Sequence, residues 1–224
     1  MTNTDYFKKQ SILAPTLEVV NKVNNSIMSL LPGNHRVYLC SDSLCVEEGN
    51  IESQLDTFSP DVVNAINCLG LPNHQLFLKE GVPIMLLRNI DQSNGLCNGT
   101  RLQVRCLGHH IIEYIVLTGD KVGRVVLIPR MNISNNDTLP FRFQRRQFSL
   151  IASFAMTMNK SQGQTLSMVR LYLPKPIFTH GQLYVALSKV KSKKCLRVLS
   201  QSNSFMPRDS TINGVFREVF NNVT

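Results

Sequence analysis

A cluster of small polar side chains follows an apolar run late in the sequence. Residues 157–165 (TMNKSQGQT) combine hydroxyls, amides and one lysine, and they come directly after the apolar run 149–156. Hydroxyl, amide and backbone N–H groups suit phosphate oxygens, and ligands of open α/β sheets bind at the carboxyl ends of strands. The segment is therefore a candidate phosphate-binding turn. A solvated loop whose Ser and Thr residues cap helices is the alternative interpretation.

A second candidate segment ends in a positive charge. Residues 181–190 (GQLYVALSKV) have helical character, and Lys189 lies at their end, before Lys191, Lys193 and Lys194. A cation there could reach an anionic ligand. The alternative is a helix C-terminus stabilised by cations through the helix dipole, and for the last three lysines we favour that role or nonspecific phosphate contact.

Charge is distributed unevenly along the chain. The net charge is +9, yet residues 1–137 carry a net charge of −2. Residues 138–208 contain 12 Lys and Arg residues and no Asp or Glu, whereas ordinary surfaces mix both signs. A surface of one sign suits a polyanion, because binding releases condensed counterions. The alternative is that compensating acids lie on another polypeptide or elsewhere in a longer chain.

The composition indicates a globular protein. Hydrophobic residues make up 43% and charged residues 17%, which suits one large or two small packed domains. No apolar run approaches the roughly 20 residues of a membrane span, and we expect no secretory signal and no membrane partner. The six cysteines show no zinc-finger spacing, so we expect reduced thiols and no metal site. Cys40 and Cys45 are the closest pair, and a disulfide or metal role for them is the less favoured alternative.

Strand and helix patterns alternate near both ends of the chain. Thr16 occupies an N-cap position after a predicted strand, and apolar residues follow it at helical spacing. Strands separated by helices indicate a parallel sheet. The predicted elements are strands at 11–15, 36–40, 149–156, 169–173 and 196–199, helices at 16–31, 60–69 and 180–188, a loop at 41–59, a linker at 132–140 and a turn at 160–164.

Short strands fill the middle of the chain. Five runs rich in Val, Ile and Leu are separated by turn residues, which suggests a small barrel. The runs cover residues 75–78, 83–87, 100–107, 111–118 and 123–129. The predicted fold class is therefore α/β, with a parallel sheet and flanking helices split in sequence by an inserted small β-barrel. The predicted boundaries are 1–70 for the first segment, 71–131 for the barrel, 132–200 for the remainder and 201–224 for a tail.

The two polar segments, with residues 171–181 between them, resemble the C-terminal motifs of superfamily 1 DNA helicases of the PIF (petite integration frequency) type, including those of Helitron transposons. Residues 11–16 (SILAPT) resemble the opening of the family's second RecA-like domain. Residues 71–89 and 96–102 (LCNGTRL) resemble its inserted barrel of the Src-homology-3 type. The resemblance covers residues 9–199. It implies the C-terminal half of an ATP-dependent 5′-to-3′ DNA helicase with roles in DNA repair, recombination and telomere maintenance, located in the nucleus or mitochondrion.

The same resemblance assigns site residues. Single-stranded DNA would be held by the polar turn and by Thr16, and two turn residues would couple the DNA to the nucleotide cleft. Lys189 stands where the family has the arginine finger that reaches the γ-phosphate. The implied DNA-binding residues are Thr16, Thr157, Asn159, Lys160 and Ser161, and the implied cleft residues are Gln162 and Gly163. The barrel would line the DNA exit.

The sequence also departs from the family. Lys189 keeps the charge of the finger but lacks the planar fork of arginine, so we expect weaker hydrolysis. No Gly-x-x-x-x-Gly-Lys-Ser/Thr loop and no Asp-Glu metal-binding strand occur in the sequence. We therefore expect ATP and Mg only in a complete motor that supplies the first RecA-like domain, and we expect the chain alone to bind neither and to be inactive.

Three interpretations remain open at this level. The chain is part of a helicase, a stand-alone nucleic-acid-binding module, or an interaction subunit whose basic face docks an acidic partner. The first predicts weak, salt-sensitive binding of single strands without ATP hydrolysis.

Overall fold

The chain folds into two compact units. The computed structural model describes residues 4–8, 10–44, 64, 66, 71–134, 143–164, 166–175, 177, 179–190 and 192–200. One unit combines Met1–Leu31 with Ser153–Thr224, and the other is Pro32–Ala152. The second unit is thus inserted into the first, and it extends beyond the predicted barrel segment 71–131 on both sides.

The split unit contains the predicted parallel sheet. Its four strands have the order β12-β1-β13-β14, and all three pairings are parallel. The predictions of an α/β architecture and of a parallel sheet are confirmed. With strands and helices numbered in chain order, the elements of this unit are α1 (Thr4–Lys8), β1 (Gln10–Ala14), α2 (Leu17–Leu30), β12 (Ala155–Thr157), β13 (Met168–Leu173), α3 (Gln182–Leu187) and β14 (Leu196–Ser200).

Helix α2 packs against the two neighbouring strands β1 and β12 of this sheet. The Thr16 side chain caps the helix by accepting a hydrogen bond from the Val19 N–H at 3.4 Å, as the sequence predicts. Val20 packs against Ala14 and Ala155 in one buried cluster. Leu31 ends the helix, and its N–H donates to the Ile27 carbonyl. Among the described helices, none is long and apolar enough to cross a membrane.

The inserted unit consists of antiparallel sheets. A five-stranded sheet has the order β11-β5-β6-β7-β8, a three-stranded sheet the order β3-β10-β9, and β2 pairs with β4. The strands are β2 (Arg36–Leu39), β3 (Ser41–Leu44), β4 (Gln75–Leu78), β5 (Pro83–Leu86), β6 (Arg101–Leu107), β7 (Ile111–Val116), β8 (Val125–Pro129), β9 (Met131–Ser134), β10 (Phe143–Gln147) and β11 (Leu150–Ala152).

A buried arginine joins three segments of the inserted unit. Arg145 on β10 is fully buried and makes a two-pronged ion pair with Asp42 on β3, with N···O distances of 3.0 and 2.8 Å. It also donates to the carbonyls of Ile66 and Pro72. A buried guanidinium requires such partners, because an unpaired charge away from water is costly.

Four sequence predictions differ from the structure. The predicted loop 41–59 begins with strand β3, where the ion pair of Asp42 holds a polar segment in a sheet. The predicted linker 132–140 begins within β9. The predicted strand 149–156 consists of two strands, β11 and β12, in different sheets, because the chain passes from one unit to the other after Ala152. Both halves are apolar since each contributes to the core of its own unit. The five runs assigned to a barrel do not all belong to one sheet. Run 75–78, which is β4, pairs with β2 instead, and β11 is the fifth strand of the five-stranded sheet. The predicted helix 60–69 lies almost entirely outside the described residues.

Candidate functional site

Two neighbouring strands deliver the candidate residues to one edge of the parallel sheet. Ala14, the last residue of β1, lies opposite Thr157, the last residue of β12. The N–H of Met158 then donates to the Ala14 carbonyl at 3.2 Å, which continues the pairing by one residue. Because the strands are parallel, Thr16 and the segment after Thr157 emerge at the same, carboxyl-terminal edge. This is the edge at which open α/β sheets bind ligands.

The segment after β12 is a compact 3-10 turn over Asn159–Ser161. The Lys160 N–H donates to the Thr157 hydroxyl oxygen at 3.4 Å, and the Gln162 N–H donates to the Asn159 carbonyl at 3.2 Å. Asn159, Lys160 and Gln162 are exposed, whereas Met158 is fully buried and anchors the turn. The turn therefore presents an amide and an ammonium group to the solvent on a fixed backbone.

Gly163 ends the turn in a left-handed conformation. Its φ is +77°, and a Cβ placed there would meet nothing within 4 Å. Glycine is required by the backbone angle rather than by lack of room. The space beside Gly163 is open, as a position next to a ligand would need.

Ser161 differs from the sequence expectation. Its side chain is fully buried, and its hydroxyl donates to the Met158 carbonyl at 2.6 Å. A direct phosphate contact requires an accessible hydroxyl, so the structure gives Ser161 the task of fixing the turn. Thr157, Asn159 and Lys160 remain at or near the surface.

Lys160 is a cation that pairs with no carboxylate among the described residues. Partial desolvation lowers the pKa of its ammonium group, and no charged neighbour contributes to the shift. The described part of the chain thus does not neutralise Lys160. A bound anion would supply the missing partner.

Helix α3 packs against the 3-10 turn. Its capping residue Gly181 has a φ of +72°, and the buried side chain of Gln182 donates to the Pro15 carbonyl at 3.0 Å. Lys189 follows the helix and is half-buried, with its N–H bonded to the Ala186 carbonyl. The structure therefore gathers the end of β1, the polar turn and the helix that leads to Lys189 into one packed group.

Sequence reasoning assigned no role to two residues that hold this group together. Asn24 on α2 is 5% exposed and bonds the backbone of Ala155 twice, donating to its carbonyl at 3.2 Å and accepting from its N–H at 2.8 Å. Gln182 is the second. The available signal for Asn24 was a polar residue between Val20 and Met28 in the buried row of α2.

Comparison with known proteins places these features in a family. The family model for the 2B domain of the DNA helicase Pif1 matches residues 61–107. The ATP-dependent DNA helicase PIF1 of Xenopus laevis is 30% identical over 210 residues, which are 88% of this chain and 29% of that protein. The human PIF1 helicase is 33% identical over 144 residues, covering 63% of this chain and 22% of that protein. The chain thus spans less than a third of the length of these relatives.

Solved structures agree on the fold. The crystal structure of the Pif1 helicase from Candida albicans has a TM-score of 0.67 and 24% identity, covering 97% of this chain and 50% of that one. A Bacteroides Pif1 helicase crystallised with ADP-AlF3 and single-stranded DNA has a TM-score of 0.67 and 22% identity, covering 96% and 44%. The family model and the sequence relatives assign the chain to the PIF-type DNA helicases, and its match to them includes the 2B-domain model over residues 61–107.

Proposed function

We propose that this chain is the part of an ATP-dependent 5′-to-3′ DNA helicase that holds single-stranded DNA at the joint edge of β1 and β12. The observation that carries the proposal is the exposed Lys160, which has no carboxylate partner in the described part of the chain and lies on a hydrogen-bonded turn beside Thr157. Single-stranded DNA in the crystals of a Pif1 relative supports the choice of anion.

Backbone phosphates fit this edge chemically. Thr16 and Thr157 offer hydroxyl groups, Asn159 an amide and Lys160 a charge, and none of these groups reads a base sequence. The acid-free segment 138–208 includes the whole turn, so no carboxylate of that segment repels the phosphates. Binding without sequence preference suits a motor that moves along DNA.

The nucleotide cleft is the second part of the proposal. Gln162, Gly163 and Lys189 form one wall of this cleft, and the first RecA-like domain supplies the phosphate loop and the acidic groups for Mg. When ATP is bound, its γ-phosphate carries the charge that a finger residue stabilises during phosphoryl transfer. Lys189 supplies a single point charge, and it lacks the two parallel hydrogen bonds of an arginine.

The five-stranded sheet β11-β5-β6-β7-β8 completes the proposal. We infer that it is the barrel of the Src-homology-3 type and that it lines the exit path of the DNA. Its support is the antiparallel order of its strands and the overlap of β5 and β6 with the match to the Pif1 2B domain.

Fluorescence anisotropy with a labelled single-stranded oligonucleotide, at several salt concentrations, tests DNA binding. Lys160→Ala should weaken binding and reduce the salt slope by about 0.7, the value for one phosphate contact on a single strand. Lys8→Ala is the matched control, because it removes the same charge just before β1, at the opposite edge of the sheet. Binding that does not depend on salt, or equal effects of the two substitutions, would contradict the proposal.

ATP hydrolysis separates the motor from a simple binding module. The acid-free basic segment alone would also suit a stand-alone nucleic-acid-binding or interaction module. We expect no helicase-like hydrolysis by the purified chain, and stimulation of hydrolysis when a first RecA-like domain is added. A binding module would bind DNA and leave the hydrolysis of the added domain unchanged.

A further inference from the structure

Three side chains that commonly ligate metals converge in the inserted unit. The Sγ of Cys40 lies 2.9 Å from Oδ1 of Asp42 and 2.9 Å from Nδ1 of His74. All three donor atoms lie within 4.8 Å of one another, and each side chain is half-buried. A sulfur, a nitrogen and a carboxylate oxygen therefore lie close enough together to ligate one cation.

The backbone fixes two of the three donors. Cys40 directly follows β2 and His74 directly precedes β4, and these strands pair antiparallel. The Cys40 N–H donates to the His74 carbonyl at 2.9 Å, and the buried side chain of Gln147 donates to the same carbonyl at 3.2 Å. The two residues thus lie opposite each other in an extended ladder, and their relative position does not depend on a flexible loop.

The third donor is held by a buried guanidinium. Arg145 contacts both carboxylate oxygens of Asp42, at 3.0 Å to Oδ1 and 2.8 Å to Oδ2. A carboxylate has about four lone-pair positions, so Oδ1 can ligate a cation and keep its contact with Arg145. Outer hydrogen bonds of this kind orient the ligands in metal sites.

We propose that Cys40, Asp42 and His74 form a binding site for Zn²⁺. The mixed set of thiolate, imidazole and carboxylate suits zinc, whereas Mg²⁺ and Ca²⁺ take oxygen ligands. Three ligands from the described residues leave the fourth tetrahedral position to water or to another group. The site is separate from the DNA-holding edge, which belongs to the other unit.

Binding of the cation changes the protonation of Cys40 and the net charge of the site. Ligation requires the thiolate, so the Cys40 proton passes to the solvent as Zn²⁺ enters. The thiolate and the Asp42 carboxylate then oppose three positive charges, two on the ion and one on Arg145, so the site keeps a net charge of about +1. Arg145 remains paired with Asp42, and its burial does not change.

Titration of the metal-free chain with Zn²⁺ by calorimetry tests the site, and Co²⁺ serves as a spectroscopic substitute. We expect one tightly bound Zn²⁺ per chain and a thiolate-to-cobalt charge-transfer band. Cys40→Ser and His74→Gln should each weaken Zn²⁺ binding at least tenfold, the lower end of losses caused even by outer-sphere changes. Cys106→Ser, which alters an exposed free cysteine on β6, should leave it unchanged.

Two results would overturn the proposal. Absence of stoichiometric Zn²⁺ binding by the unaltered chain would show that the three side chains form a hydrogen-bonded network only. Binding that persists in Cys40→Ser, or that lacks the thiolate band with Co²⁺, would place the cation elsewhere. The measurements on the unaltered chain decide the question even where a substitution prevents folding.

Discussion

Asn24 stabilises the edge strand from which the proposed DNA-binding turn emerges. Strand β12 is one of the two outermost strands of the described parallel sheet, and an edge strand leaves one row of backbone groups unpaired. The side-chain amide of Asn24 accepts a hydrogen bond from the Ala155 N–H at 2.8 Å and donates one to the Ala155 carbonyl at 3.2 Å. It thereby supplies the two hydrogen bonds that a further strand would have made.

The substitution Asn24→Ala removes both bonds. Ala155 is 1% exposed, so its N–H and carbonyl would lose their partners in a buried place, at about 1–3 kcal/mol for each group. For the two groups together we therefore expect the free energy of unfolding to fall by about 2–6 kcal/mol, measured by urea denaturation. The hydrogen-exchange rate of the Ala155 amide should rise about 30-fold or more, since 1.4 kcal/mol corresponds to a factor of ten.

Asn25→Ala is the matched control for this prediction. Asn25 is the next residue on the same helix and is exposed, so its replacement changes helix propensity by the same amount without removing a bond to β12. Surface substitutions of this kind stay within about 0.5 kcal/mol. If the two variants differed by less than that, the bonds to Ala155 would not stabilise the strand and the reasoning would be refuted.

Two further predictions concern backbone strain and buried charge. Gly163→Ala and Gly33→Ala should each lower the free energy of unfolding by about 1 kcal/mol, because both glycines have positive φ in open space. Only Gly163→Ala should also weaken DNA binding in the anisotropy assay. Equal DNA binding by the two variants would argue against a role of the turn. In the presence of a chelator, Asp42→Asn should destabilise the chain by about 3–5 kcal/mol, because it leaves the charge of Arg145 buried without its carboxylate. Glu18→Gln, which breaks the exposed pair with Lys22, should leave the urea midpoint nearly unchanged. Similar urea midpoints for Asp42→Asn and Glu18→Gln would contradict this contrast.

Local signals in the sequence predicted the elements of the parallel sheet well. Thr16 followed by apolar residues at helical spacing located α2 and its N-cap, and the polar segment after an apolar run located the turn after β12. These features depend on residues close together in the chain. The charge asymmetry alone predicted a polyanion, which is the class of ligand that we propose.

Features that depend on distant residues were not accessible in this way. The strand character of 41–44 comes from pairing with β10 and from the ion pair between Asp42 and Arg145, which are 103 residues apart. The apolar run 149–156 gave no sign that it divides between two sheets, because burial in either core requires the same side chains. His74 could not be linked to Cys40 by spacing, since 34 residues separate them and an antiparallel pairing brings them together.

Gln182 links the two halves of the proposed site. The carbonyls of Ala14 and Pro15, adjacent at the end of β1, accept hydrogen bonds from the Met158 N–H at 3.2 Å and from the Gln182 amide at 3.0 Å. The proposed DNA-binding turn and the helix leading to Lys189 are thus bonded to the same dipeptide, so a displacement of one strains the other. Gln182→Leu preserves approximate size and removes the bond, and we expect it to weaken single-strand binding severalfold although Gln182 contacts no DNA in the proposal.

Asn159→Leu removes an exposed amide from the turn and should lower the affinity for DNA without changing the hydrogen exchange of α3 amides, whereas Gln182→Leu should accelerate that exchange. Unchanged exchange and affinity in Gln182→Leu would show that the helix and the turn are held independently of each other.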